Sequence, residues 1–332
     1  MDILGILKRL VKKFGVYQLI ERWIVSTYIG ANVYLFFMQI RATKKETRLR
    51  LEKINTGAKI LVTRKSRMIK ISIHHFAYLQ DIIDSFDYYF NAVEPEVFGD
   101  QVIVDYSVPR KHVLMPSGIS FFFSSFAEPL ETTDIYLQKG DLKDGDVILD
   151  LGSYCGSTVW GFSRAVGANG KVYGFEPDPV NYDVLCKNVE YHKLLNTVVI
   201  NKGVWSTSGN LLFQGEGNMG SGMANVQDRA ANLLNVQVVS LSDFCSEFSI
   251  DRIDYIKMDI EGAEVEVLKA SADVLRKFKP RLIIEPHVVG TRLVTDDVCR
   301  ILSEYGYGTE VIAQAGLPLP LIYAYPISRE KN

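Results

Sequence analysis

Cysteine is scarce in this 332-residue chain, and the four that occur, Cys155, Cys186, Cys245 and Cys299, form no CxxC pair. Such spacing suggests neither a structural zinc site nor a disulfide framework, and it suits reduced thiols in a cytoplasmic protein. Long apolar runs are almost missing too. Residues 23 to 40 go 18 positions without a charge, and Ser26, Thr27, Asn32 and Gln39 interrupt them. That run just reaches the ~18 residues at which a spanning helix becomes a candidate. No small-residue cleavage site follows it, so a secretory signal peptide is not expected. The chain also lacks internal repeats, low-complexity tracts and a GxGxxG turn. What is present is ordinary globular material, 47% hydrophobic and 23% charged, which excludes wholesale disorder and a polytopic membrane protein.

The net charge of -2 hides an asymmetry. Residues 1–70 hold 16 Lys and Arg against 4 Asp and Glu, which leaves 21 against 35 in the rest. The N-terminal segment is therefore basic and the remainder acidic. An acidic domain repels phosphates, which excludes nucleic acid as its substrate. Ile3, Leu4, Leu7, Leu10, Val11, Phe14 and Tyr17 recur at helical spacing with Lys8, Arg9, Lys12 and Lys13 between them. Three readings compete for residues 1–40. They pack on the catalytic domain or on another subunit of a homo-oligomer, they lie on a membrane surface as a peripheral contact, or residues 23 to 40 span.

Three segments are expected. Residues 1–70 read as a basic, partly amphipathic helical extension, whose part from 41 to 70 is a helix running into a turn and a short strand. Residues 71–138 read as a helix and a small β prelude, with "QVIVDYS" and "GISFFFSS" as strands. Residues 139–328 alternate strand, turn and helix: "VILDLG", "STVWGFSRAVG", "KVYGFEP", "PVNYDVLCKNVEYH", "TVVINKGV". Alternation of that kind argues a parallel sheet with helices on both faces.

The turn "DLGSYCGS" puts Asp150 at a strand's carboxyl end, Gly152 and Gly156 in the turn, and Ser157 and Thr158 at the start of a helix. Ligands of open α/β sheets bind at that edge. Tyr154 fills the place of the middle glycine that a dinucleotide site requires, and a carboxylate before the first glycine favours a cationic ligand group over a pyrophosphate. Glu176, 26 residues after Asp150, ends the next strand, where an acid suits a ribose diol, and Pro177 stops that strand. An acid for an amine and an acid for a ribose together describe S-adenosylmethionine better than a nicotinamide. Further along, "IKMDIEGAEVEVLKAS" ends a strand at Asp259 and opens a helix with Glu261 and Glu264, acids that also complement the helix dipole. In "RLIIEPHVV", Glu285 and His287 flank Pro286 at another strand end. His287 suits general-base work near neutral pH, with Asp259 second.

"DLGSYCGSTV", "GFEPDPVNYDVLCKNV", "VVSLSDF" and "DYIKMDIEGAEVEVL", followed by "RLIIEPH", together resemble the FkbM family of S-adenosylmethionine-dependent methyltransferases over roughly residues 128–290. The resemblance implies a class I, Rossmann-like, seven-stranded mixed sheet with helices on both faces. It also implies cofactor binding by the Asp150 turn and Glu176, and O-methylation of a hydroxyl on a sugar, glycan or natural product. Tyr154 and Cys155 are bulkier than the residues usual in that family's turn. The binding set then comprises Asp150, Gly152, Tyr154, Gly156, Ser157, Thr158, Glu176, Pro177 and Asp259, with His287 and Asp259 catalytic. Glu261, Glu264 and Glu285 are candidates for substrate or for a hard cation, and no metal site is assigned. The rivals are a nicotinamide-dependent oxidoreductase and a non-catalytic module of the same fold tethered to a membrane or complex.

Overall fold

The computed structural model describes residues 23–54, 57–215, 222–223, 233–314 and 319–327. The amphipathic pattern at 3–17 lies outside them. Two compact units emerge, one of residues 1–129 and 225–233, the other of 130–224 and 234–332. The divisions expected at 70 and 138 are therefore not where the units part.

In the first unit, Thr27 caps α1 (Tyr28–Thr43) by accepting the Gly30 N–H at 2.9 Å. Strands β1 (Thr47–Ile54), β2 (Gly57–Arg64) and β3 (Arg67–Ser72) follow. The helix expected beyond residue 41 thus gives way to a strand. "TRLRLEKI" alternates Leu49 and Leu51 with exposed Arg48 and Arg50, a period of two that a sheet satisfies and a helix does not. A 3₁₀ turn at Ile73–Tyr78 leads to α2 (Leu79–Asp84), α3 (Phe86–Asn91), β4 (Glu96–Phe98) and β5 (Gln101–Tyr106). The five strands run in the order β1-β2-β3-β5-β4, with β3 and β5 parallel. A hairpin of β6 (Arg110–Leu114) and β7 (Ile119–Phe123) completes the unit. Its core centres on buried Phe126, whose ring meets Tyr89 and Tyr106.

The second unit opens with α4 (Leu130–Gly140), β8 (Val147–Leu151), α5 (Ser157–Val166), β9 (Lys171–Phe175), α6 (Pro179–Tyr191) and β10 (Thr197–Ile200). Short β11 (Gly203–Val204), β12 (Gly209–Gln214), β13 (Gly222–Met223) and β14 (Leu233–Val239) form a separate small sheet. The main fold resumes with α7 (Leu241–Glu247), β15 (Tyr255–Met258), α8 (Glu264–Ala270), α9 (Ala272–Phe278) and β16 (Arg281–Ile284). After a two-residue ladder of β17 (Val288–Val289) and β18 (Arg292–Leu293) come α10 (Thr295–Glu304), β19 (Tyr307–Ile312) and β20 (Leu321–Pro326).

The seven-stranded sheet has the order β10-β9-β8-β15-β16-β20-β19. Its first five strands are parallel, while β20 runs antiparallel to both β16 and β19. Central strands are buried on both faces, as crossover helices require. Leu149, Ile256 and Leu282 pack towards Phe244, Val267 and Ile301. Their neighbours Ile148, Tyr255 and Ile283 pack on the other side with Val159, Phe162 and Leu185. Each such fully buried side chain contributes roughly 1.5–3 kcal/mol. The chain reverses its direction of growth between β8 and β15, so a crevice opens at the carboxyl ends of those two strands.

Candidate active site

The turn after β8 is built by backbone constraint. Gly152 has φ of +83°, and a Cβ there would stand 1.8 Å from the Asp259 carbonyl oxygen, so only glycine lets the ends of β8 and β15 approach. The N–H groups of Gly152 and Ser153 both donate to the Phe175 carbonyl, at 3.1 and 2.9 Å, tying the turn to β9. Gly156, with φ of +91°, then starts α5. Cys155 points inward and is fully buried, and its carbonyl accepts the Asn188 side chain at 2.8 Å, which accounts for a bulkier residue here.

Glu176 follows β9 and is turned to the same turn. Its Oε2 accepts the Tyr154 N–H at 2.9 Å and its Oε1 the Asp178 N–H at 2.9 Å. Burial pushes its carboxyl up to about 8; the N–H bonds oppose that rise and the neighbouring Asp178 charge adds to it. Tyr154 therefore serves through its backbone. Pro177 lies between Glu176 and Asp178, which caps α6 by accepting from Val180 N–H at 2.9 Å.

Asp150 is turned towards the chain's own polar groups. It is fully buried, its Oδ2 accepts the Thr158 hydroxyl at 2.5 Å, and Lys257 Nζ stands 3.5 Å from Oδ1. Burial raises its pKa, against the opposing pull of Lys257 and Thr158. The ammonium beside Asp150 is this chain's own, that of Lys257. Ser157 and Thr158 are likewise buried.

Lys257 connects the two halves of the crevice. Its Nζ donates to the Gly152 carbonyl at 2.6 Å and also lies 3.5 Å from Asp259 Oδ2. Asp259 Oδ1 in turn lies 3.6 Å from His287 Nε2, and Glu261 Oε2 stands 3.5 Å from the same nitrogen. On its other side His287 Nδ1 meets Glu264 Oε1 at 2.8 Å. Glu264 is fully buried and also accepts the Gly262 N–H at 3.0 Å. Burial disfavours the imidazolium, but the Glu264 hydrogen bond and the Glu261 and Asp259 charges outweigh it and raise His287 to about 10. These partners favour the charged imidazole over the free base expected for general-base work. Glu285 lies on the same edge, its Oε2 held by Gln314 Nε2 at 3.1 Å.

Sequence reasoning missed Lys257 and Gln314. Lys257 did leave a signal, a charge inside the otherwise apolar strand "YIKM", whose burial demands a counter-charge. Gln314 left none, because it reaches Glu285 from the segment after β19.

The donor set fits S-adenosylmethionine in part. A glycine turn that a Cβ would block and a carboxylate ending the next strand suit the cofactor's backbone-lined pocket and its ribose hydroxyls. The strand order, the antiparallel seventh strand and the crevice at the β8–β15 switch define a class I methyltransferase fold, and its cofactor is S-adenosylmethionine. Residues 150–308 match the methyltransferase FkbM domain.

Hexuronic acid methyltransferase AglP of Haloferax volcanii is 26% identical over 172 residues, covering 52% of this chain and 67% of that protein. Methyltransferase sdnD of Sordaria araneosa is 29% identical and is covered to 64% of its length by 41% of this chain. The chain thus spans about two thirds of the curated relatives it matches. The crystal structure of methyltransferase FkbM from Methylobacillus flagellatus aligns with a TM-score of 0.41 and 18% identity, over 57% of this chain and 50% of that one.

Proposed function

We propose that this protein transfers a methyl group from S-adenosylmethionine to a hydroxyl oxygen of a sugar, glycan or natural-product acceptor. The observation that carries this reading is the crevice itself. The Gly152 turn and Glu176 stand at one end and Asp259, Glu261 and His287 at the other, linked through Lys257. The bound cofactor supplies an electrophilic methyl on a sulfonium, whose sulfur keeps the bonding pair as the new O–CH₃ bond forms.

The chain's residues supply position and proton transfer. Glu176 and the glycine turn hold the adenosine end, leaving the acceptor to approach over β15 and β16. The carboxylates of Asp259 and Glu261 bracket His287 and take the hydroxyl proton. His287, already charged, donates from Nε2 and stabilises the oxygen as that proton leaves. The relative named for hexuronic acid supports a sugar acceptor.

The test is transfer of radiolabelled methyl from S-adenosylmethionine to fractionated uronic-acid glycans. Label in a product that resists mild alkali marks an ether on a hydroxyl. Alkali release marks an ester on a carboxyl and moves the reading, and no transfer to any fraction overturns it.

A second observation concerns α1. Gly30, Ala31, Leu35, Met38 and Ala42 are buried on one side, yet Ile29, Val33, Phe36, Phe37 and Ile40 are exposed on the other. Among the described residues no helix is long and apolar enough to cross a membrane. We infer that α1 rests its outer face on an anionic membrane surface, drawn there by the basic surplus of residues 1–70.

A further inference from the structure

We propose that Asp259, Glu285 and His287 bind one divalent metal ion at the acceptor end of the crevice, a site that goes beyond the methyl-transfer reading and does not depend on it. Ligand atoms from these three residues all lie within 4.8 Å of one another. Two ligands of one ion at ~2.1 Å each stand roughly 3.0–4.2 Å apart, depending on the angle between them, so the widest pair must draw slightly closer around an ion. His287 Nε2 faces Asp259 Oδ1 at 3.6 Å. That separation is long for a hydrogen bond and suits two ligands of a shared ion.

Two further features point the same way. The first is the support of the histidine. Fully buried Glu264 sits 2.8 Å from Nδ1 and is itself fixed by the Gly262 N–H. That contact keeps a proton on Nδ1 and turns Nε2 towards Asp259 and Glu261, so an entering ion displaces the Nε2 proton and takes its place, as in carboxylate–histidine–metal arrangements. The other oxygen of Glu264, Oε2, is buried with no hydrogen-bond partner, which a nearby positive charge makes less costly. The second feature is register. Met258 pairs with Ile284 in adjacent parallel strands, so Asp259 and Glu285, the next residue of each, leave the sheet side by side. The Glu285 N–H donates to the Met258 carbonyl at 2.9 Å, and Gln314 holds the Glu285 carboxylate. Like charges fixed side by side repel unless a cation lies between them.

One imidazole with two carboxylates is a mixed donor set. It suits a first-row ion such as Mn²⁺ better than an all-oxygen ion such as Ca²⁺. An acceptor hydroxyl on such an ion loses its proton more readily, and Glu261, outside the three-ligand set, is placed to take it.

The experiment uses the full chain, stripped with chelator and free of cofactor and acceptor, titrated with Mn²⁺ and followed by electron paramagnetic resonance. The free-ion signal is expected to be suppressed up to one Mn²⁺ per chain. Asp259→Asn and Glu285→Gln should each weaken binding at least about tenfold, and Glu264→Gln by about 10–100-fold. Glu266→Gln, at an exposed position paired with Lys269, should leave binding unchanged. Thermal melts identify any variant that does not fold, and His287→Gln then takes its place. Absence of bound Mn²⁺ at millimolar concentration overturns the proposal, as does wild-type affinity in the Asp259→Asn, Glu285→Gln double variant. Because the readout is bound metal alone, that result leaves methyl transfer untouched, and a failure of methyl transfer leaves the metal site untouched.

Discussion

The two ends of the crevice are built on different principles. Around β8 and β9 the backbone does the work: positive-φ glycines, a carbonyl accepting two N–H groups, and a buried glutamate accepting two more. Around β15 and β16 the backbone only delivers side chains, and function rests on four carboxylates and one imidazole. A backbone-built site tolerates little change in shape, whereas a side-chain-built site tolerates changes of residue and hence of acceptor. Lys257 is the joint, because its single charge faces Asp150 on one side and Asp259 on the other.

The comparison breaks most visibly at the acceptor end. Asp259→Asn combined with Glu261→Gln should lower turnover by about 10²–10⁴-fold while leaving cofactor affinity within a few-fold, since these residues act on the acceptor proton. Steady-state kinetics beside calorimetry checks this, and a loss confined to cofactor binding would assign both residues to the other half.

Lys257→Met tests the joint. It leaves Asp150 buried without its counter-charge and should cost about 3–5 kcal/mol, read from chemical denaturation. Adding Asp150→Asn should recover much of that loss. A single variant as stable as the parent would mean that the pair contributes little.

Glu176→Gln sharpens the cofactor end. Weakening a hydrogen bond to the ribose should lower affinity by roughly 2- to 10-fold. The same residue gives a pH signature. Its folded pKa of about 8 lies above the ordinary carboxylate value near ~4.3, so the native state holds the proton more tightly. Its contribution to stability is therefore complete below about pH 4.3 and is lost as pH rises through about 8. Melting temperatures across that window should fall less steeply in Glu176→Gln, and parallel profiles would remove Glu176 as the source.

The smallest effect is expected at the membrane. Each Lys or Arg near an anionic surface contributes ~1 kcal/mol, screened over a Debye length of ~8 Å at physiological salt. The full chain should float with anionic vesicles at low salt and less at high salt, and Phe36→Ser with Phe37→Ser should reduce flotation further. Equal flotation of a chain beginning at Arg41 would detach α1 from the effect.

Much of this was open to reading before any coordinates. The alternation from residue 147 onward, the glycine turn and the acids at strand ends are local patterns, and local chemistry produced them where expected. What was not legible has one cause. The surroundings of Asp150 and His287 are set by partners that lie far along the chain. Asp150 meets a lysine 107 residues later, and His287 meets glutamates 23 and 26 residues earlier.

The sequence by itself therefore determined the strand and helix periods, the positive-φ turn and which acids stand at strand ends, because backbone sterics and hydrophobic periodicity act over a few residues. Only the tertiary structure decided which of those acids is free. Parallel strands distant in the chain bring Asp150 beside Lys257 and Asp259 beside Glu285 and His287, and at those distances burial and charge, rather than residue type, set what each group can do.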